Sequence, residues 1–356
     1  MSSITYIGTA VPKHKNEQAS ILEFMSRIGS KDAREQRRTS LMYARSGIST
    51  RYSVVPDYVC PLEEREFFPQ TEDLEPFPNI EKRMALFEKN ATDLALSAIR
   101  NAFFDKEIPK NITHLITVSC TGLSAPGLDI SLVKALDLPS DINRTSVNFM
   151  GCYAAIHALK QADAVCKSQA DAKVLIVLVE LCTLHFQKEQ TLDFITSNLL
   201  FGDGAACCLV ENSTQGFHIA SAYSKLFLES QESMGWHLSS NGFLMSLKTE
   251  VPKLIEDNIA EFVETALSKI GLQKENIANW AIHPGGRKIL EVTAKSLHLK
   301  KDDLNTSFEI LKNYGNMSSC TLIFILKEML GKKSGNTFMA GFGPGITMES
   351  LILTEA

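Results

Sequence analysis

The 356-residue sequence predicts an α/β protein made of two similar halves, from three observations. Strand candidates recur as continuous apolar runs, as expected for strands buried on both faces. Helical stretches alternate with them. Each half also closes in the same way: "FGDGAACCLV" in the first and "GFGPGITMESLIL" in the second both put a Gly-rich turn before a strand. That repetition of order and punctuation, without identity, suggests a duplication divided near residues 210–216, giving halves of 1–212 and 213–356.

Along the first half, the strand candidates are "HLITVSC" (114–120), "RTSVNFM" (144–150), "AKVLIVLVEL" (172–181) and "AACCLVE" (205–211). The helical stretches "EKNATDLALSAIRNAFF" (88–104) and "YAAIHALKQADAVCKS" (153–168) lie between them. In the second half, "FHIASAYS" (217–224), "NWAIHPG" (279–285), "TFMAGFG" (337–343) and "ITMESLILT" (346–354) read as strands. "PKLIEDNIAEFVETALSKIG" (252–271), "GRKILEVTAKSLH" (286–298) and "SSCTLIFILKEMLG" (318–331) read as helices.

Hydrophobic content of 44% supports a large core. A net charge of -5 gives no general attraction to nucleic acid or anionic membrane. No apolar run approaches the roughly 20 residues of a membrane span. The start "MSSITYIGTAVPKHK" lacks the basic and long apolar regions of a secretory signal. The eight cysteines form no CxxC pair and no cysteine–histidine cluster with zinc spacing, so no metal is expected. Several sit inside apolar runs, which points to a cytoplasmic enzyme with reduced thiols.

Three polar residues have a chemical context. Cys152 follows Gly151 where a strand-like run becomes a helical one. His283 ends a strand before Pro-Gly-Gly, and Asn316 lies in "YGNMSS" before a helix. A cysteine at a helix N-terminus beside an imidazolium is expected to be a thiolate. Histidine and asparagine can both donate to a developing oxyanion. The same residues also have plain readings: a buried thiol, a strand end and a helix N-cap.

The segments "GCYAAIHAL", "LLFGDGAACCLV", "WAIHPGGRKIL", "NYGNMSSCTLIFIL" and "GFGPGITMESLIL", in this order, resemble the type III polyketide synthases of the chalcone and stilbene synthase family, over nearly the whole chain. The resemblance implies a thiolase fold: duplicated halves forming a five-layer α/β/α/β/α sandwich, and a homodimer. It implies Cys152 as acyl-accepting nucleophile, with His283 and Asn316 stabilising the enolate formed when malonyl-CoA loses carbon dioxide. An acyl-CoA starter and malonyl-CoA are the implied substrates, with no further cofactor. The alternative is a ketoacyl-ACP synthase III-like enzyme performing one condensation.

The resemblance also implies a cavity. Phe201 matches one gating phenylalanine, and the second gate falls on Met245, with Phe243 two residues before it. His185, Cys182 and Cys120 stand where the family carries threonines, whereas Ser318 is kept. Gly343 and Pro344 belong to the loop that resembles the cyclization pocket. The stretch "AREQRRTSLMYARSGISTR" supplies five arginines for CoA phosphates. Arg38 and Arg45 are the nearest matches, and Lys288 adds charge beside His283. Histidine at 185 is expected to shrink the pocket, and methionine at 245 to soften its gate.

Overall fold

A computed structural model describes residues 1–29, 32–104, 106–331 and 334–355. The strand Lys173–Leu181 shows how the layers form. Its side chains alternate between two cores, because successive residues in a strand point to opposite faces. Leu175, Val177 and Val179 pack with Phe87, Leu94 and Ala98 of the outer helix Ile80–Ala102. Val174, Ile176 and Leu178 face the helices Ala154–Ser168 and Cys320–Met329. Those two helices form the middle layer. One buries Ala154, Ala155, Ala158 and Ala162, whose small side chains permit close approach to the sheet. The other is apolar nearly all round, as a helix enclosed on every side must be. Beyond them, Ala281, Met339 and Leu351 line the second half's inner face. Trp280, Ile282 and Phe338 face outward onto the helices Val251–Ser268 and Arg287–Ser296. The result is the five-layer sandwich of the thiolase fold.

The duplication is visible in the pairing. His114–Ser119 runs parallel to Lys173–Leu181, which pairs antiparallel with Asp203–Asn212, which pairs antiparallel with Ser2–Ala10. In the second half, Ile277–Ile282, Gly335–Gly343, Thr347–Glu355 and Phe217–Leu226 repeat that parallel, antiparallel, antiparallel sequence. The halves join edge to edge only where Ser3 and Ile4 meet His218 and Phe217. The strand Asn143–Asn148 extends the first half at the far edge.

All eight expected strands and five expected helices are present. Several short elements were not anticipated. The one that matters for the site is a hairpin, Met234–Ser239 with Gly242–Leu247, in which Met245 lies directly opposite Trp236.

Candidate active site

Cys152 lies in the single-turn helix Gly151–Tyr153, just ahead of the buried helix Ala154–Ser168. The turn requires glycine at 151. Its φ is +81, and a Cβ there would come within 2.3 Å of Pro344 Cδ. The Gly151 amide donates to Cys120 Sγ at 3.0 Å. Cys120, Gly343 and Pro344 therefore buttress the turn that carries Cys152 from behind, and the cavity walls are built from other residues. Gly343 packs against the Tyr153 ring that follows the nucleophile.

Asn316 lies ahead of the helix Cys320–Met329, whose N-cap is Ser319, so Asn316 is no helix cap. Its main chain is clamped to the Phe201 segment: Asn316 N–H donates to the Leu200 carbonyl at 2.8 Å, and Gly202 N–H donates to the Asn316 carbonyl at 3.0 Å. Its Oδ1 accepts from the Ser318 amide at 2.8 Å. That bond fixes the carboxamide orientation and leaves Nδ2–H free to donate. The Asn316 amide is 3.9 Å from Cys152 Sγ.

His283 follows the strand Ile277–Ile282 and is wholly buried. Its amide donates to the Ala340 carbonyl at 2.8 Å, which anchors the backbone. Neither ring nitrogen has a hydrogen-bond partner among the described residues. Burial lowers its pKa to about 3, so the imidazole is neutral. Burial likewise pushes the Cys152 thiol up to about 12, and hydrogen bonds with Ser318 and Asn316 offset this only in part. Burial therefore works against the expected thiolate–imidazolium pair. Desolvation of both groups outweighs the helix dipole.

A cavity of about 340 Å³ brings together Cys152, Asn316, Phe201, Met245, Arg45 and Lys288. Arg38 lies outside it, in a neighbouring groove with Arg34 and Arg37. Arg51 is withdrawn from the basic set. It is buried, bonded to Gln18 Oε1 at 2.9 Å and to the Phe201 carbonyl, and so anchors the main chain at Phe201. Ser318 sits beside the nucleophile as a hydrogen-bonding neighbour of Cys152.

A second chamber shares Phe201 and Met245 with the first and is lined by Cys182, His185, Trp236 and Phe243. It is nearly filled, with about 20 Å³ free. His185 is wall rather than ligand contact. Its Nε2–H donates to the Thr121 carbonyl at 2.7 Å, and its Nδ1 accepts from the Phe243 amide at 3.0 Å. Its ring stacks on Phe243 with centroids 4.2 Å apart. Burial holds its pKa near 3. Trp236 closes the chamber, its indole N–H donating to the Cys120 carbonyl at 2.7 Å.

Two residues of the site were missed in the sequence. Trp236, one of only two tryptophans, stands in a polar turn-like stretch. Glu180 is the single acidic residue in the strand "KVLIVLVEL", near the end of its apolar run. Glu180 is buried and accepts from the Cys120 amide and the Thr121 hydroxyl on one side and from the Ser319 hydroxyl on the other. Burial raises its pKa to about 7. It ties the loop behind the nucleophile to the segment that carries Asn316.

Comparison with known proteins agrees with this geometry. Residues 1–213 match the family description "Chalcone and stilbene synthases, N-terminal domain", and residues 218–356 match its C-terminal domain. An "Alpha-pyrone synthesis polyketide synthase-like Pks18" of Mycobacterium tuberculosis is 30% identical over 97% of this chain and 89% of its own length. A "Probable polyketide synthase 1" of Dictyostelium discoideum is 29% identical over 99% of this chain, which spans only 11% of that much longer protein. Among solved structures, the C-terminal type III polyketide synthase domain of the Dictyostelium type I/III hybrid "Steely1" superposes with a TM-score of 0.91 at 28% identity, covering 99% of both chains. PKS-I of the brown alga Ectocarpus siliculosus also gives 0.91, at 25% identity, covering 100% of this chain and 98% of its own. With matches to both halves and a cavity that joins Cys152 to Asn316, the chain belongs to the chalcone and stilbene synthase family, the type III polyketide synthases.

Proposed function

We propose that this chain loads an acyl starter from acyl-CoA onto Cys152, extends it with malonyl-CoA over a small number of cycles, and releases a short pyrone or phenolic product. The observation that carries this reading is the single cavity that holds the Cys152 thiol and the Asn316 carboxamide 3.9 Å apart, with Arg45 and Lys288 also lining it. Residues 1–212 supply the nucleophile, and residues 213–356 supply His283 and Asn316.

The chemistry starts from neutral partners. The neutral imidazole of His283 has a free basic nitrogen, so it can take the thiol proton as Sγ attacks the starter thioester and the CoA thiolate leaves. Malonyl-CoA then loses carbon dioxide, and the electron pair of the broken C–C bond becomes an enolate. Asn316 Nδ2–H and a His283 N–H donate to its oxygen in a dry site, where such donors act strongly. The enolate carbon attacks the Cys152 thioester, forming a C–C bond and freeing the thiolate. The extended chain, now on CoA, returns to Cys152 for the next cycle. The carboxyl group lost as carbon dioxide supplies the driving force, and CoA thioesters are the only cosubstrates this reading needs.

The filled second chamber supports a short product. Met245 and Trp236 face each other across the hairpin, and His185 and Phe243 occupy the space behind. A homodimer in the cytoplasm belongs to the same reading. The edge strand Asn143–Asn148 is exposed along most of its length, and Leu123 and Ile130 beside it are exposed. All eight cysteines are free. Among the described residues, no helix is long and apolar enough to cross a membrane.

The test is a panel of short, long and aromatic starter CoAs with malonyl-CoA, read by mass spectrometry. Triketide or tetraketide products are expected, and Trp236→Ala should lengthen them by at least one malonyl unit. Products extended by a single two-carbon unit would favour the one-condensation alternative. An unchanged distribution in Trp236→Ala would remove the chamber as the length limit.

A further inference from the structure

We propose that the exposed face of the helix Ala33–Arg45 docks an acidic acyl carrier protein, which presents a starter to Cys152 on its phosphopantetheine arm. This rests on the polyketide synthase reading above and adds a second route for the starter.

Arg34, Arg38, Leu41 and Arg45 recur at spacings of four, three and four, so they share one helix face, and Arg37 adjoins it. All five are exposed, Leu41 by 48%. The helix carries four arginines against one glutamate, Glu35, while the whole chain is acidic at -5. The strip is therefore a local feature against the general field. Arg38 donates to the Gln190 carbonyl at 3.3 Å, which holds the helix beside the segment leading to the gate. The face overlooks a groove of about 510 Å³ floored by Met42 and Leu199.

Its direction is informative. Arg45 belongs both to this groove and to the cavity that holds Cys152. From there the strip runs outward for eleven residues, about 16 Å at 1.5 Å per residue. The cavity already has cations for CoA phosphates in Arg45, Lys248, Arg287 and Lys288. Arg37 and Arg34 lie about two and about three turns beyond Arg45. A carrier protein offers the same phosphopantetheine thioester as CoA, attached to an acidic helical surface in place of a nucleotide. A long basic helix face with one exposed leucine is complementary to that surface. An anionic membrane fits less well, because the face has one large exposed apolar side chain and no aromatic anchor.

The experiment compares octanoyl-CoA with octanoate on the phosphopantetheine arm of an acidic type II acyl carrier protein, both with malonyl-CoA. The variants are wild type and R34E/R37E. The double variant should lower kcat/KM for the carrier-borne starter by tenfold or more, and for octanoyl-CoA by less than twofold. Raising salt from 50 to 300 mM should weaken the carrier reaction of wild type more than that of the double variant. Equal rates of wild type and variant with the carrier would overturn the proposal, as would parallel losses with both starters. Salt-sensitive binding to phosphatidylserine vesicles, abolished in the variant while carrier transfer is unchanged, would reassign the face to lipid. If octanoyl-CoA itself fails to acylate Cys152 in wild type, the fault lies with the functional reading and not with the docking face.

Discussion

Replacing His283 by leucine should make the protein more stable and inactive. The ring is wholly buried, and neither nitrogen is bonded within the protein. Each buried polar group left unpaired costs about 1–3 kcal/mol. A hydrophobic replacement of similar size costs under about 1.5 kcal/mol in misfit. The two nitrogens together cost about 2–6 kcal/mol, so the net gain is about 0.5–6 kcal/mol at neutral pH. At about 2.1 cal/mol/K per residue, a chain of this length has an unfolding entropy of roughly 0.75 kcal/mol/K. The expected rise in Tm by scanning calorimetry is therefore roughly 1–8 °C. Acid adds a second signature. The imidazole is held near 3 in the folded protein, against about 6.5 when unfolded. Below pH 6.5 the unfolded chain binds a proton that the native state refuses. Wild type thus loses about 1.4 kcal/mol per pH unit through this residue, and the variant does not. The stability gap should be constant above pH 6.5 and widen below it. Malonyl-CoA decarboxylation should meanwhile fall by about a hundredfold or more. A Tm that drops by several degrees would mean that His283 is a satisfied structural residue, and the reasoning would fail.

Three further outcomes follow from the same site. The alkylation rate of Cys152 by iodoacetamide should keep rising through pH 10 without a plateau, because burial carries the thiol to about 12; an inflection near pH 6 would restore the ion-pair picture. Asn316→Ala should reduce decarboxylation about a hundredfold and starter acylation of Cys152 much less, measured as separate half-reactions; equal losses would make the residue structural. His185→Thr should destabilise the protein by about 2–4 kcal/mol in urea titration, since it strands the Thr121 carbonyl and the Phe243 amide, and a neutral result would refute the clasp role.

The fold was legible wherever burial on two sides writes itself into the sequence. Lys173–Leu181 and Cys320–Met329 are enclosed, so their apolar runs are nearly unbroken. Ser2–Ala10 escaped because it mixes Ser, Thr and Gly with its apolar residues, although it is the strand through which the halves meet. The hairpin Met234–Leu247 escaped for a different reason. It is a two-stranded ribbon beside the main sheet, and its exposed His237 and Leu238 hide the alternation. That ribbon carries Trp236, Phe243 and Met245, so the least readable segment is the one that shapes the cavity.

The triad's neighbourhood was legible as positions but not as protonation states. Motif and punctuation mark Cys152, His283 and Asn316, because a nucleophile turn needs Gly151 and a strand end needs its Pro-Gly-Gly break. Electrostatics depends on what surrounds each group in three dimensions. A helix N-terminus near a histidine argues for a thiolate only if water or a counter-charge reaches the pair. Here Cys152 is 9% exposed and His283 not at all, so both charged forms are suppressed. Under the proposed function, ionisation then waits for a substrate carbonyl to accept the developing charge. That ordering links the two halves of the protein. The thiol comes from the first half and the imidazole and carboxamide from the second. Glu180, bonded to the Cys120 loop and to Ser319, is a buried clasp between them. Its carboxyl is held near 7 by burial, above the usual range of about 4.3. As pH rises, the unfolded chain releases that proton first, so stability through Glu180 is lost between about pH 4.3 and 7. Between about pH 6.5 and about 4.3, falling pH costs about 1.4 kcal/mol per unit through each of His185 and His283 and returns about as much through Glu180, so the clasp offsets one of the two histidines and a net loss of about 1.4 kcal/mol per unit remains.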